Sequence, residues 1–185
     1  MEPGLVRALA LALSLATAAP LVAQQEPVRP LSVAATLGLS TGASTRDHTG
    51  DAAQFSGDLA IALRLREAGS GAWAAALAGG ISMAPGHDDV CLPAPNGCLP
   101  HFPDVWMLSA LGGWETDGGA LRLLTGPTWV GGDRFDALGW QTRAALFPPL
   151  GGPIALAFSA RVTLVPRYEG DAFMFLAVGA GLRLR

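Results

Sequence analysis

The sequence predicts an all-β chain, an eight-stranded antiparallel up-and-down transmembrane β-barrel. Three observations predict it. Apolar residues recur at every second position through eight successive segments. Short turns rich in Gly, Asp and Pro follow every second segment, and the two longest connectors lie between them. The arginines within the segments fall on the parity opposite to the leucines and tryptophans.

In chain order, Met1 to Ala23 reads as a secretory signal. Arg7 supplies the positive start, offset by Glu2, Leu9 to Ala16 is the apolar run, and Ala16, Thr17 and Ala18 are small. Cleavage is expected after Ala18 or Ala23, with Gln24 the preferred start, so that residues 24–185 make one barrel domain. The run is shorter than the ~20 residues a spanning helix needs, and no later stretch supplies one. A membrane location would therefore have to be reached with strands.

Alternation begins with Leu31, Val33, Ala35, Leu37 and Leu39. The second segment sets Leu59, Ile61, Leu63 and Leu65 against Asp58, Ala60, Ala62, Arg64 and Arg66. Trp73, Leu77, Ile81 and Met83 mark the third, and Trp106, Leu108, Ala110 and Trp114 the fourth. Leu121, Leu123 and Trp129 belong to the fifth, where Pro127 is an irregularity because proline removes a ladder donor. Leu138, Trp140 and Leu146 define the sixth. Ile154, Leu156, Phe158, Val162 and Leu164 define the seventh. Met174, Leu176, Val178, Leu182 and Leu184 close the series, with Phe173 and Phe175 on the other parity.

The turns at Ala68–Gly71, Thr116–Gly119 and Pro148–Pro153 are short, whereas Gly42–Ala53 and Pro85–Pro103 are long. The connectors near Asp133 and Glu169 are modest. Short turns on one rim and longer loops on the other match periplasmic and external rims of an outer-membrane barrel.

What occupies the weaker face decides between a membrane barrel and a soluble one. Leucines pointing inward would leave Ala60, Ala62, Ala74, Ala76, Ala78, Ala155 and Ala157 as the coat for water. With leucines outward, the same small residues line a lumen wide enough only for side chains. Composition agrees: 50% of residues are hydrophobic, 15% are charged, and the twelve basic residues are all arginine. A net charge of −3 with no basic patch argues against nucleic acid as a partner.

Arg64, Arg66, Arg122, Arg143, Arg161, Arg183 and Arg185 share the inward parity. Facing lipid, each would cost about 2–4 kcal/mol at the midplane. Inside, they can pair with Glu67, Glu115 or Asp117, so a luminal charge cluster is expected near the periplasmic rim. An electrostatic plug is the expected role, in preference to a charge-selective gate. Trp73, Trp106, Trp114, Trp129 and Trp140 all take the outward parity, with Phe55 and Tyr168, as membrane-interface aromatics do.

These patterns resemble small eight-stranded bacterial outer-membrane barrels, such as the transmembrane domain of outer membrane protein A. The resemblance covers roughly Leu31 to Arg185 and rests on aggregate patterning. Members of that family usually end in an aromatic residue, whereas this chain ends Leu184-Arg185.

Chemistry-bearing residues are sparse. Cys91 and Cys98 share one Pro- and Gly-dense stretch and could form a disulfide after export. His48, His87 and His101 fall in or beside the external loops. His87, Asp88 and Asp89 match no metal-ligand spacing. Some barrels resembling this one are lipid A deacylases or palmitoyl transferases, which need a histidine with a serine or acid partner near the outer rim. His101 and Ser109 are the nearest candidates and form no defensible pair. Gly112-Gly113 and Gly131-Gly132 lack a phosphate-loop frame.

The expected function is therefore a non-enzymatic outer-membrane barrel acting through its loops, with no cofactor. Outer-membrane lipids, and lipopolysaccharide or external macromolecules at the loops, are the expected partners. A lipid-modifying barrel enzyme and a soluble periplasmic barrel holding an apolar ligand are the alternatives.

Overall fold

The computed structural model describes residues 31–44, 54–67, 69–83, 104–132, 135–168 and 171–185. Residues 1–30, with the expected signal, and Cys91, Cys98, His48, His87 and His101 lie outside the described residues.

Among the described residues nine strands form: β1 (Leu31–Ser44), β2 (Gln54–Glu67), β3 (Gly71–Met83), β4 (Val105–Thr116), β5 (Leu121–Gly132), β6 (Phe135–Leu146), the short β7 (Pro149–Gly151), β8 (Ile154–Tyr168) and β9 (Asp171–Leu184). Each long strand pairs antiparallel with its neighbours, β1 pairs with β9, and β6 pairs with β8. Eight strands thus close into a barrel without a free edge, which satisfies the backbone groups that an open sheet would expose. β1 begins and β9 ends at the same rim, since Val33 lies opposite Leu184. That terminal rim also carries the turns between β2 and β3, β4 and β5, and β6 and β8.

The faces follow the alternation. Leu37, Leu59, Leu77, Leu108, Leu138 and Leu182 are exposed on the outer wall, Leu37 at 77%. Ala60, Ala62, Ala74, Ala76 and Ala78 are buried in the lumen, where they pack with Leu111 and Leu124. The leucine parity outside and the alanine parity inside is the arrangement of a lipid-facing barrel.

Three local features depart from simple alternation. A bulge between Arg64 and Arg66 shifts the register of β2 against β3, so that Arg66 lies opposite the outward Trp73. A second shift separates Val165 from Tyr168 on β8. β9 keeps one register with β1 from Phe173 to Leu184, and its Phe175 is buried on the luminal side. At Pro127 the β4–β5 ladder skips the pairs between Ser109–Thr128 and Gly112–Thr125 and resumes in the same register. Pro127 thus costs ladder bonds on one side without introducing a bulge.

The terminal-rim turns are built from backbone that favours glycine. Gly118 and Gly119 both take positive φ, 75° and 69°, in the one-turn 3₁₀ segment Asp117–Gly119. The hairpin between β6 and β8 folds β7 back onto β8, with Pro149 opposite Ala155.

Candidate functional site: a charged lumen

The luminal parity carries the side chains with the most polar chemistry, and they sort into layers along the barrel axis. Near the terminal rim, Glu115 of β4 is 1% exposed and lies between two arginines. Arg122 Nε donates to Glu115 Oε2 at 2.7 Å, and Arg183 Nη2 donates to Oε1 at 2.8 Å. Both guanidiniums also donate to Ser32 Oγ, at 2.9 and 3.2 Å. Arg183 Nη1 reaches the Gly119 carbonyl at 2.6 Å. The Phe147 ring lies under both, its centroid 5.2 Å from Arg122 Cζ and 4.3 Å from Arg183 Cζ. Phe147 itself is buried, its N–H bonded to the Ala120 carbonyl at 2.7 Å. Charge-assisted bonds of this kind hold their members in a single geometry.

Deeper in the barrel, Asp58 of β2 faces Arg143 of β6 and Arg161 of β8. Arg161 Nη1 donates to Asp58 Oδ1, and Arg143 Nη2 lies 3.7 Å from Oδ2. Arg143 and Arg161 stand directly opposite one another across the β6–β8 ladder. Gly80 on β3 makes room for this group, since a Cβ there would collide with Arg161 Nη1 and Asp58 Oδ1.

Towards the opposite rim the charges give way to neutral polar pairs. Ser82 Oγ donates to Gln54 Oε1 at 2.6 Å and lies 2.5 Å from Ser40 Oγ. Ser109 Oγ sits 2.7 Å from Thr128 Oγ1 and 2.9 Å from Gln141 Oε1. At the same end of the lumen an apolar cluster of Val105, Met107, Val130, Val165 and Phe175 forms, with Ala137 and Phe173 packed against it and Val105 opposite Ser82 across the β3–β4 ladder.

The arginines named from the sequence therefore divide. Arg122, Arg143, Arg161 and Arg183 are buried in the lumen. Arg64 is mostly buried and pairs with the exposed Asp117 at 3.1 Å. Arg66 is corrected: it is exposed, because the β2 bulge moves it to the outward side next to Trp73. The Glu67 carboxylate is exposed and joins no ion pair among the described residues. Asp58 was not among the acids expected to pair. Its mid-strand position on the alanine parity was the available signal, because a carboxylate there can only face the lumen.

On the outer wall, Trp73, Trp106, Trp129 and Trp140 are exposed and Trp114 is half-buried opposite Trp73. Trp106 lies over Gly131, where any Cβ would strike the indole. Trp129 Nε1 donates to Asp136 Oδ1, and Trp140 Nε1 to Thr125 Oγ1, each at 2.7 Å. Both indoles thus keep their one polar group bonded on the apolar wall. Ser109 is buried on the luminal side. No group of three or more potential metal ligands occurs among the described residues.

No known protein family matches the chain, and no curated protein matches it. Among solved structures, it is similar to the crystal structure of Neisserial surface protein A, an eight-stranded outer-membrane barrel. Identity is 14%, the TM-score is 0.55, and the match covers 86% of this chain and 99% of that one. The likeness is one of fold: a closed, all-antiparallel eight-stranded barrel of the outer-membrane type.

Proposed function

We propose that the chain is an exported, non-enzymatic protein of the bacterial outer membrane that acts through the segments joining its strands at the rim opposite the termini. The observation that carries this reading is the contrast between the two faces of the wall. The outside is a belt of exposed leucines and tryptophans, fit for acyl chains. The inside is filled by interlocked ion pairs, hydroxyls and an apolar end layer, which suits a scaffold better than a conduit. Outer-membrane lipids are the partners of the belt. Residues 45–53 and 84–103, the longer connections at that rim, are the surface for lipopolysaccharide or an external macromolecule.

Cell fractionation tests the location, with an electrophoretic gel of unheated and heated samples. The protein should appear in the outer-membrane fraction and migrate differently until heated. Recovery in the soluble extract without a mobility shift would instead support a soluble barrel holding an apolar ligand. Exchanging 45–53 and 84–103 for short turns should leave the mobility shift intact while abolishing surface binding. A changed lipid A mass spectrum on deletion of the protein would favour a barrel enzyme.

A further inference from the structure

Among the described residues, the lumen holds more positive charge than its carboxylates neutralise. Arg122, Arg143, Arg161 and Arg183 are buried, against two buried carboxylates among the described residues, Asp58 and Glu115; four minus two leaves an excess of two. The other described acids whose side chains are placed, Glu67, Asp104, Asp117 and Asp136, stand at the rims. Guanidinium cannot shed its proton in a protein, so the excess cannot be relieved by deprotonation. Leaving a charge buried and uncompensated is strongly unfavourable.

A cavity of about 20 Å³ is lined by one arginine from each cluster, Arg122 and Arg143. The Arg143 side chain is only 6% exposed, and its Nη1 has no hydrogen-bond partner among the described residues. Thr36 and Ser159 also line the cavity, their hydroxyl oxygens 3.1 Å apart. One hydroxyl hydrogen joins that pair, so the other remains to be donated. The rest of the lining is apolar, including Ala145 and Ala157. No carboxylate lines it among the described residues.

We propose that this cavity is a buried site for one small monovalent anion of the halide class, held by Arg122, Arg143 and the Thr36–Ser159 hydroxyl pair. A water molecule would satisfy the free N–H but leave the charge excess untouched. A halide satisfies the N–H and lowers the excess from two to one. The volume admits a single monatomic species and excludes phosphate, sulfate or a carboxylate headgroup. The site stands on the barrel geometry alone and does not depend on how the loops act.

The test uses the folded barrel in detergent, with thermal unfolding followed in sodium chloride, bromide or gluconate at equal ionic strength. A ligand that binds only the folded state raises the midpoint as its concentration rises. Chloride and bromide should therefore raise it in a saturable manner over gluconate. Crystals soaked in bromide should show an anomalous peak within contact distance of Arg143. Ala157→Val keeps every arginine and fills the cavity, and it should erase both the halide shift and the peak. Arg143→Met should do the same, and if it fails to fold, Ala157→Val still decides. Equal midpoints in chloride and gluconate, a peak only on the outer surface, or a halide shift that survives in Ala157→Val would each overturn the proposal.

Discussion

The two arginine clusters have the same stoichiometry and very different support. Glu115 and Asp58 each hold two arginines at the lumen wall. Around Glu115, both guanidiniums have second acceptors: Ser32 Oγ for each, the Gly119 carbonyl for Arg183, and the face of Phe147 beneath both. Around Asp58, no second acceptor is present among the described residues, and Arg143 Nη1, Arg161 Nε and Arg161 Nη2 lack partners. The lesson concerns redundancy. An ion pair surrounded by spare acceptors tolerates the loss of its carboxylate, whereas one that relies on a single acid does not.

The largest effect should therefore come from Asp58→Asn. It leaves Arg143 and Arg161 facing one another without their carboxylate, a situation that costs about 3–5 kcal/mol. Urea titration of the folded barrel, read by the heat-dependent gel shift, measures it. Glu115→Gln should cost less, about 2–3 kcal/mol, the worth of hydrogen bonds to charged groups, because Ser32, Gly119 and Phe147 remain. Should Glu115→Gln prove the more damaging, the ranking by spare acceptors is wrong.

Next in size is Gly80→Ala. Its Cβ would press on the Arg161–Asp58 pair, and overpacking of this kind costs about 1–3 kcal/mol. In the Asp58→Asn background the same substitution should cost less, since the contact it disturbs is already lost. A double-mutant cycle reads that coupling, and strict additivity would place Gly80 outside the cluster.

How far all this was legible in the sequence follows from the range of each interaction. The period of two placed the leucines outside and Arg122, Arg143, Arg161 and Arg183 inside, because a strand's alternation is local and survives barrel closure. Arg66 escaped it, since one extra residue at the bulge flips every side chain after it and nothing in Arg64-Leu65-Arg66 announces the insertion. Glu115 was a foreseeable partner because it sits by the same turn as Arg122, and Asp117 because its turn lies at the rim where the strand of Arg64 ends. Asp58 was missed because its partner Arg161 lies 103 residues away, on a different part of the barrel wall. Which arginine meets which acid across a lumen depends on the relative stagger of all eight strands. Gly80 reads in the sequence as one of two neighbouring strand glycines, and only the folded lumen shows the pair that occupies its missing side chain.

The smallest effect sharpens the same comparison from the better-supported side. Phe147→Leu keeps a large apolar side chain near the terminal rim and removes only the aromatic face beneath Arg122 and Arg183. A desolvated cation–π contact is worth roughly 1–2 kcal/mol, so the loss in urea stability should be about 1 kcal/mol while Glu115 is present. In a Glu115→Gln barrel, the ring becomes one of the few remaining acceptors for two buried cations, and the same change should then cost more. Such an increase would mean that the ring and the carboxylate back one another up. If the cost is the same in both backgrounds, Phe147 serves only as packing, and the sturdiness of this cluster rests on Ser32 and the Gly119 carbonyl alone.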